Sequence, residues 1–231
     1  MPRERALACA VRLLERGFFR IGSEGYAEEN ETYGIATILK RHVDIRDETI
    51  VFDYRAKGSQ RRVQAVDDPA VLTVVEALKR RRGGGEELLA YKRGRRWVDV
   101  KSDDINQYVR DATGGDFSAK DFRTWSATVL AAVALAVSGP QARASKTARK
   151  RVERRVVEEV AGLLGNTPAV PRSSYIDPRV FDRFEGGLTI GGALPDLLDA
   201  DGCWPVLHGP IEEAVLDLIE REDSDAIEQV G

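Results

Sequence analysis

Gly165-Asn166-Thr167-Pro168-Ala169-Val170-Pro171-Arg172-Ser173-Ser174-Tyr175-Ile176-Asp177-Pro178 is the stretch on which the reading of this chain turns. A small Gly-Asn turn, a Pro suited to a first helical position and a lone tyrosine follow one another in order. Upstream, three basic residues stand beside aromatic or glycine neighbours. They are Arg20 in Phe18-Phe19-Arg20-Ile21-Gly22, Lys57 in Phe52-Asp53-Tyr54-Arg55-Ala56-Lys57-Gly58, and Arg123 in Lys120-Asp121-Phe122-Arg123-Thr124-Trp125. The chain reads as a scaffold that brings these cations to the Tyr175 hydroxyl, with a phosphodiester between them.

Working outward from the tyrosine, Lys146 to Leu164 reads as a strongly basic helix with Val152, Val156, Val157, Val160 and Leu163 as its apolar stripe. Before it, Ser118 is placed to cap a long helix from Ala119 to about Val137, with Arg123 in its second turn and Lys120 one turn earlier on the same side. The apolar run Val129 to Val137 is far shorter than the ~20 residues of a bilayer span and reads as part of a core helix. At the N-terminus, Arg3 to Gly17 has helical spacing of Ala6, Val11, Leu13 and Leu14. A loop holds Glu28, Glu29 and Asn30, and Ile35–Val43 and Thr49–Ala56 read as extended. Phe52, Tyr54 and Ala56 then share one face, Asp53 and Arg55 the other, and Lys57-Gly58-Ser59-Gln60 turns the chain into Arg61–Val66. Pro69 opens a helix to about Arg80 with Val71, Val74, Val75 and Leu78 inward, and Arg80 to Gly85 reads as a flexible loop of solvated cations. Ser102 is expected to cap a helix over Asp103–Thr113, and an acidic helix is expected near Ile211–Glu222.

Composition bounds the class. A chain of 231 residues that is 42% hydrophobic and 32% charged suits a helix-rich globular protein. Two cysteines, Cys9 and Cys203, form no disulfide framework and no zinc spacing, which points to a reducing cytoplasm. The net charge of -3 hides an asymmetry: residues 181–231 hold 13 Asp/Glu and 2 Lys/Arg, leaving 25 Asp/Glu against 33 Lys/Arg in residues 1–180. A basic body with an acidic tail is compatible with a nucleic-acid partner. His42 and His208 are the only histidines, and no HExxH, paired-carboxylate or GxxxxGK[ST] pattern is present.

The residue types fit phosphodiester chemistry. A phenol with a pKa near ~10 is a poor nucleophile unless negative charge is stabilised nearby. Arginine's planar fork can hold two non-bridging oxygens, and a lysine among cations can protonate a leaving alkoxide. The plainer roles are a packing tyrosine, ion-pairing arginines and a lysine of ordinary turn chemistry.

Taken together, the Arg20 segment continuing through Ser23-Glu24, the Lys57-Gly58 turn, the Lys120–Trp125 segment and Gly165–Pro168 leading to Tyr175 resemble the type IB DNA topoisomerases. They are most similar to the compact poxvirus-like branch found in bacteria, over about Pro2 to Phe184. The resemblance implies a mainly α fold with a small antiparallel β-sheet (α+β), like the catalytic domain shared by tyrosine recombinases and type IB topoisomerases. That domain would cover residues 1–185, with 186–231 an acidic extension packed on it or trailing from it. It implies Tyr175 as the nucleophile of a 3′-phosphotyrosyl intermediate, Arg20 and Arg123 on the scissile phosphate, Lys57 as general acid and Lys120 as a phosphate contact. Asn166 stands where the poxvirus enzymes carry histidine, and can donate a hydrogen bond but not shuttle a proton. Arg55, Lys146, Arg149, Lys150 and Arg172 are expected DNA-binding residues. The implied activity is relaxation of supercoiled double-stranded DNA by a monomer without ATP, metal or other cofactor and without a membrane. The β-rich clamp domain that usually precedes the Arg20 motif is not in this sequence, so intact cleavage with a weakened grip is expected. Two alternatives are a tyrosine recombinase-like strand transferase, disfavoured because no histidine lies between Arg123 and Tyr175, and a catalytically idle DNA-binding module.

Overall fold

The computed structural model describes residues 1–142, 145–197, 209–220 and 223–230. Cys203, His208 and the expected helix end at Glu222 lie outside the described residues. The chain divides into two compact units, Met1–Arg123 and Thr124–Gly231.

In the first unit, helix α1 (Arg3–Gly17) buries Ala6, Leu7, Ala10, Leu13 and Leu14, and Phe18 ends it in the left-handed region at φ 52°. Glu28, Glu29 and Asn30, expected in a loop, belong to helix α2 (Glu24–Asn30), which the Ser23 side chain caps by accepting from Tyr26 N. Of Ile35–Val43, expected as extended, only Val43 belongs to a named strand. The backbone before it turns instead, Ile35 N and Ala36 N donate to the carbonyls of Arg20 and Ile21, and a short 3-10 turn covers Lys40–His42. Strands β1 (Val43–Arg46), β2 (Thr49–Arg55) and β3 (Arg61–Val66) make an antiparallel sheet in the order β1-β2-β3. The expected alternation holds in β2, with Ile50, Phe52 and Tyr54 buried and Asp53 and Arg55 exposed.

Helix α3 (Pro69–Lys79) is capped by Asp68, whose carboxylate accepts from Ala70 N and Val71 N and from Arg12 Nε at 2.5 Å. Burial acts against the charge, but the bonds from Val71 N and Arg12 hold the Asp68 carboxyl below its ordinary value. The loop after α3 is exposed at Arg80 and Arg82, as expected, but not at Arg81. Arg81 is buried, and its guanidinium donates to the carbonyls of Leu78, Leu88, Gly85 and Glu87, so one cation serves the backbone acceptors of a whole turn. A hairpin that the sequence pattern did not reveal follows, β4 (Ala90–Arg93) and β5 (Arg96–Asp99). Helix α4 (Ser102–Thr113) begins one residue earlier than expected, and Ser102 is not its cap: its N–H and hydroxyl donate to Glu24. The core of this unit gathers α1, β2, α3 and α4 around Phe19, Phe52, Leu78 and Ile105.

Helix α5 (Ala119–Ala142) runs five residues past the expected end. It is long and apolar enough by length and composition to cross a membrane, with mean hydropathy 1.3 over Ala119–Gly139, but 56% of that window is buried inside the protein. In the second unit, helix α6 (Lys146–Leu164) has the expected bounds and stripe, with one change: Leu164 is buried and Leu163 is 51% exposed. Helices α7 (Ala169–Ser174) and α8 (Pro178–Glu185) follow. The acidic segment folds back within this unit, because β6 (Leu188–Thr189) pairs with β7 (Glu228–Gln229). The acidic helix α9 (Pro210–Glu220) buries Ile211, Ala214, Val215 and Leu218. The architecture is α+β as expected, mostly helical, with three small antiparallel sheets among the described residues.

Candidate nucleic-acid-processing site

Arg20, Arg55, Lys57, Lys120 and Arg123 belong to the first unit, and Lys146, Arg149, Asn166, Arg172 and Tyr175 to the second.

In the first unit, the loop after α1 is nailed down by its aromatic residue. Phe19 is fully buried, edge-on to Phe52 at 4.8 Å between centroids and stacked on Tyr54 at 6.0 Å. Arg20, next along, is half-buried, and its carbonyl accepts from Ile35 N at 2.8 Å. Gly22 and Gly34 let the two segments touch: a Cβ on Gly34 would stand 2.4 Å from Gly22 N, and Gly22 itself has φ +81°. Arg123 reaches the same loop from α5, 105 positions later, with Nη1 donating to the Phe18 carbonyl at 2.5 Å.

Tyr54 reports how these cations converge. Burial pushes its phenol up to about 12, while the positive charges of Arg62, Arg123 and Arg20 pull the other way. Its hydroxyl donates to Gln64 Oε1 at 2.7 Å, and the Gln64 amide donates to the Gly17 carbonyl. Arg20 and Arg123 thus both act on Tyr54, together with Arg62, an arginine that sequence reasoning missed. Arg62 is the cross-strand partner of Tyr54. The signal was present, since Arg62, Gln64 and Val66 alternate inward along β3, but an arginine at an inward position was not read as one.

Lys57 is exposed at the tip of the β2–β3 hairpin, where Gly58 and Ser59 take φ 76° and 56° and Ala56 N donates to the Gln60 carbonyl at 2.8 Å. Arg55 projects from the outer sheet face while its carbonyl accepts from Tyr33 N at 2.7 Å. Lys120 is exposed in the first turn of α5, a turn fixed by Ser118 donating through N and Oγ to Asp121 Oδ2, each at 2.8 Å.

In the second unit, α6 stops at Gly165, at φ 62° and ψ 51°, and Asn166 N donates back to the Ala161 carbonyl at 2.8 Å. The half-buried Asn166 is thus fixed by its backbone. Tyr175 follows α7, with its N–H and that of Ile176 both on the Pro171 carbonyl. The buried Thr128 hydroxyl lies 3.3 Å from the Tyr175 carbonyl and accepts from Asp177 N at 3.1 Å, clamping the backbone on both sides of Ile176. Nothing in the sequence pattern separated Thr128 from the other polar residues of α5.

The remaining basic residues divide. Arg172 stacks on Phe181 at 4.0 Å and faces the buried Glu153 at 3.6 Å, and half-buried Arg149 donates to the Glu185 carbonyl at 2.7 Å. Lys146 and Lys150 are exposed on α6. His42 takes a structural position, with Nδ1 accepting from Leu39 N and the ring against Tyr33, and burial holds its pKa down. Among the described residues, no cluster of three or more His, Cys, Asp or Glu side chains could hold a metal ion.

Residues 1–185 match the family model described as eukaryotic DNA topoisomerase I, catalytic core. The chain is similar to DNA topoisomerase 1B of Acanthamoeba polyphaga mimivirus, 26% identical over 182 residues, 75% of this chain and 53% of that protein. It is also similar to DNA topoisomerase 1 of Daucus carota, 26% identical over 129 residues, 55% of this chain and 15% of that protein. The chain thus spans about half the length of the viral relative and much less of the plant one.

Proposed function

We propose that this chain, which belongs to the eukaryotic DNA topoisomerase I catalytic-core family, cuts and reseals one strand of duplex DNA through Tyr175. The observation that carries the proposal is the convergence of Arg20 and Arg123 on one loop and on one phenol, from positions 105 residues apart in the case of Arg123 and Phe18.

In the proposed reaction the Tyr175 hydroxyl gives up its proton to water as its oxygen attacks phosphorus, the bond from phosphorus to the 5′ oxygen breaks, and a 3′-phosphotyrosyl ester forms. Arg20 and Arg123 stabilise the charge that builds on the non-bridging oxygens, where fixed guanidinium donors contribute most. The Asn166 amide donates to the same group. Lys57 gives its proton to the leaving 5′ oxygen. Rotation of the free end about the intact strand relaxes the duplex, and the reverse attack restores both bonds. The ester conserves the energy of the broken bond, so the cycle balances without ATP or a redox partner. We place the protein in the bacterial, poxvirus-like branch, acting as a monomer on the nucleoid in the cytoplasm.

The test is incubation with supercoiled plasmid in EDTA without ATP, followed by electrophoresis with and without SDS. The expected outcome is relaxation, with a covalent 3′ adduct that vanishes in Tyr175→Phe. Adduct on a nicked suicide duplex without plasmid relaxation would retain the chemistry and limit the grip. Relaxation by the Tyr175→Phe protein would refute the proposal.

A further inference from the structure

The β4–β5 hairpin has no role in the chemistry above, yet it concentrates charge. Lys92, Arg93, Arg95 and Arg96 occupy four of five consecutive positions, all exposed. The antiparallel register sets Arg93 directly opposite Arg96. Like charges facing each other across a ladder destabilise it. A solvated hairpin gains nothing from that arrangement, whereas a surface that meets an anion does.

The cations also stand on a stiff base. Lys92 Nζ lies 5.0 Å from the centroid of the Trp97 ring, its cross-strand partner, and the buried Arg81 guanidinium lies 5.6 Å from that same centroid. Arg93 donates to the Tyr91 hydroxyl at 3.0 Å. Trp97 Nε1 donates to the Arg82 carbonyl at 3.2 Å, and Gly84 packs so tightly on Trp97 that a Cβ there would come within 2.8 Å of the tryptophan Cβ. This draws the exposed Arg82 to the same patch. At its root, Ala90 and Tyr91 are buried and Lys92 N donates to the Met1 carbonyl at 2.9 Å. Aromatic support and a buried root reduce the side-chain freedom these cations lose when they bind.

We infer that the β4–β5 hairpin, with Arg82 beside it, is a phosphate-backbone grip for duplex DNA, distinct in its residues from the Arg20–Arg123 set. The inference rests on the reading of the chain as a protein that acts on duplex DNA. The backbone is the fitting occupant because its charge is dense and regular, and because cations on a two-stranded ribbon contact phosphates without reading bases. Such contacts make binding steeply salt-dependent, with a slope in log–log form of about -0.9 per phosphate neutralised on B-DNA.

The experiment measures equilibrium binding of a short duplex across a salt series, using the non-cleaving Tyr175→Phe chain as parent. Lys92→Gln, Arg95→Gln and Arg96→Gln together are expected to flatten the slope by about 2 to 3 and to weaken binding roughly 10- to 100-fold near physiological salt. Lys92→Arg, Arg95→Lys and Arg96→Lys together keep the charge and should restore both, and circular dichroism with the single Arg95→Gln variant at the tip guards against a folding defect. An unchanged slope in the triple Gln variant would overturn the inference, as would a loss confined to polyglutamate with duplex binding intact. A parent chain that shows the slope change while unmodified protein forms no tyrosyl adduct would leave the grip standing and remove the catalytic reading.

Discussion

Replacing Arg172 by Ala should destabilise the second unit in a way that depends on pH, and the direction follows from Glu153. That carboxylate is buried on α6, with Oε2 3.6 Å from Arg172 Nη1. Burial pushes its pKa up from 4.5, Glu185 on α8 pushes the same way, and Arg172 and Lys150 oppose. A group whose folded pKa exceeds its unfolded one binds more protons when folded, so stability falls as pH rises from the unfolded to the folded value. Removing Arg172 raises the folded pKa further and extends that window upward. Breaking a buried pair costs about 3–5 kcal/mol, but the Arg172 side chain is 48% exposed, and solvent screening brings the pair to about 1–2 kcal/mol. The guanidinium stacked on Phe181 adds about 0.5–1 kcal/mol. The expected loss is therefore about 1.5–3 kcal/mol at pH 7, shrinking to the stacking contribution of about 0.5–1 kcal/mol well below pH ~4.5, where Glu153 is protonated in both states. Urea unfolding at both pH values measures it, and Glu153→Gln in the Arg172→Ala background should recover about 1 kcal/mol or more at pH 7. If Arg172→Ala leaves stability within about 0.5 kcal/mol of the parent at both pH values but flattens the salt dependence of DNA binding, the reasoning fails and Arg172 is a phosphate contact.

Thr128→Val keeps the shape of α5 but leaves Asp177 N without its acceptor and the Tyr175 carbonyl without its neighbour. Stability should drop by about 1–3 kcal/mol, and single-turnover adduct formation should slow roughly tenfold from misplacement of the tyrosine. Thr128→Ser should restore the rate, and a Val variant that cleaves at the parental rate would make Thr128 merely structural. Gly34→Ala drives a Cβ to 2.4 Å from Gly22 N and 2.6 Å from the Arg20 carbonyl, backbone atoms that cannot step aside. It should cost about 3 kcal/mol in thermal or urea unfolding, against about 1–2 kcal/mol for Gly58→Ala, which meets no atom within 4 Å and suffers only from φ +76°. Equal losses for the two would refute the close-approach argument.

How much was legible depends on whether one local rule was in charge. Helix α6 has a cap in Ser145, an apolar stripe and Gly165 to end it, and its bounds matched. The β2–β3 hairpin was equally plain, because alternation and the Lys57–Gln60 turn agree. Ile35 to Val43 misled because Ile35, Ala36 and Ile38 are apolar for burial and not for pleating, while Ile35 N and Ala36 N are spent on the Arg20 loop. Arg81 misled in the opposite sense, since a charged residue beside three glycines looks solvated until the carbonyls it serves are seen. The β4–β5 hairpin hid because cations at Lys92 to Arg96 mask its period. For the candidate site, ordered motifs pointed to Arg20, Lys57, Arg123, Asn166 and Tyr175, whereas Arg62 and Thr128 emerge only from register and from backbone hydrogen bonds.

The arginines of this chain are held in two ways, by carboxylates and by backbone carbonyls. Arg3 bonds to Asp104, Arg12 to Asp68 and Arg61 to Asp53, and in each case a carboxylate takes up the charge it orders. Buried Arg81 donates to backbone carbonyls, and Arg123 donates at 2.5 Å to the Phe18 carbonyl. The Arg123 charge reaches the Tyr54 phenol, together with those of Arg20 and Arg62. Like charges acting on one buried phenol repel one another. In the proposed reaction, a dianionic transition state at phosphorus would convert that repulsion into attraction.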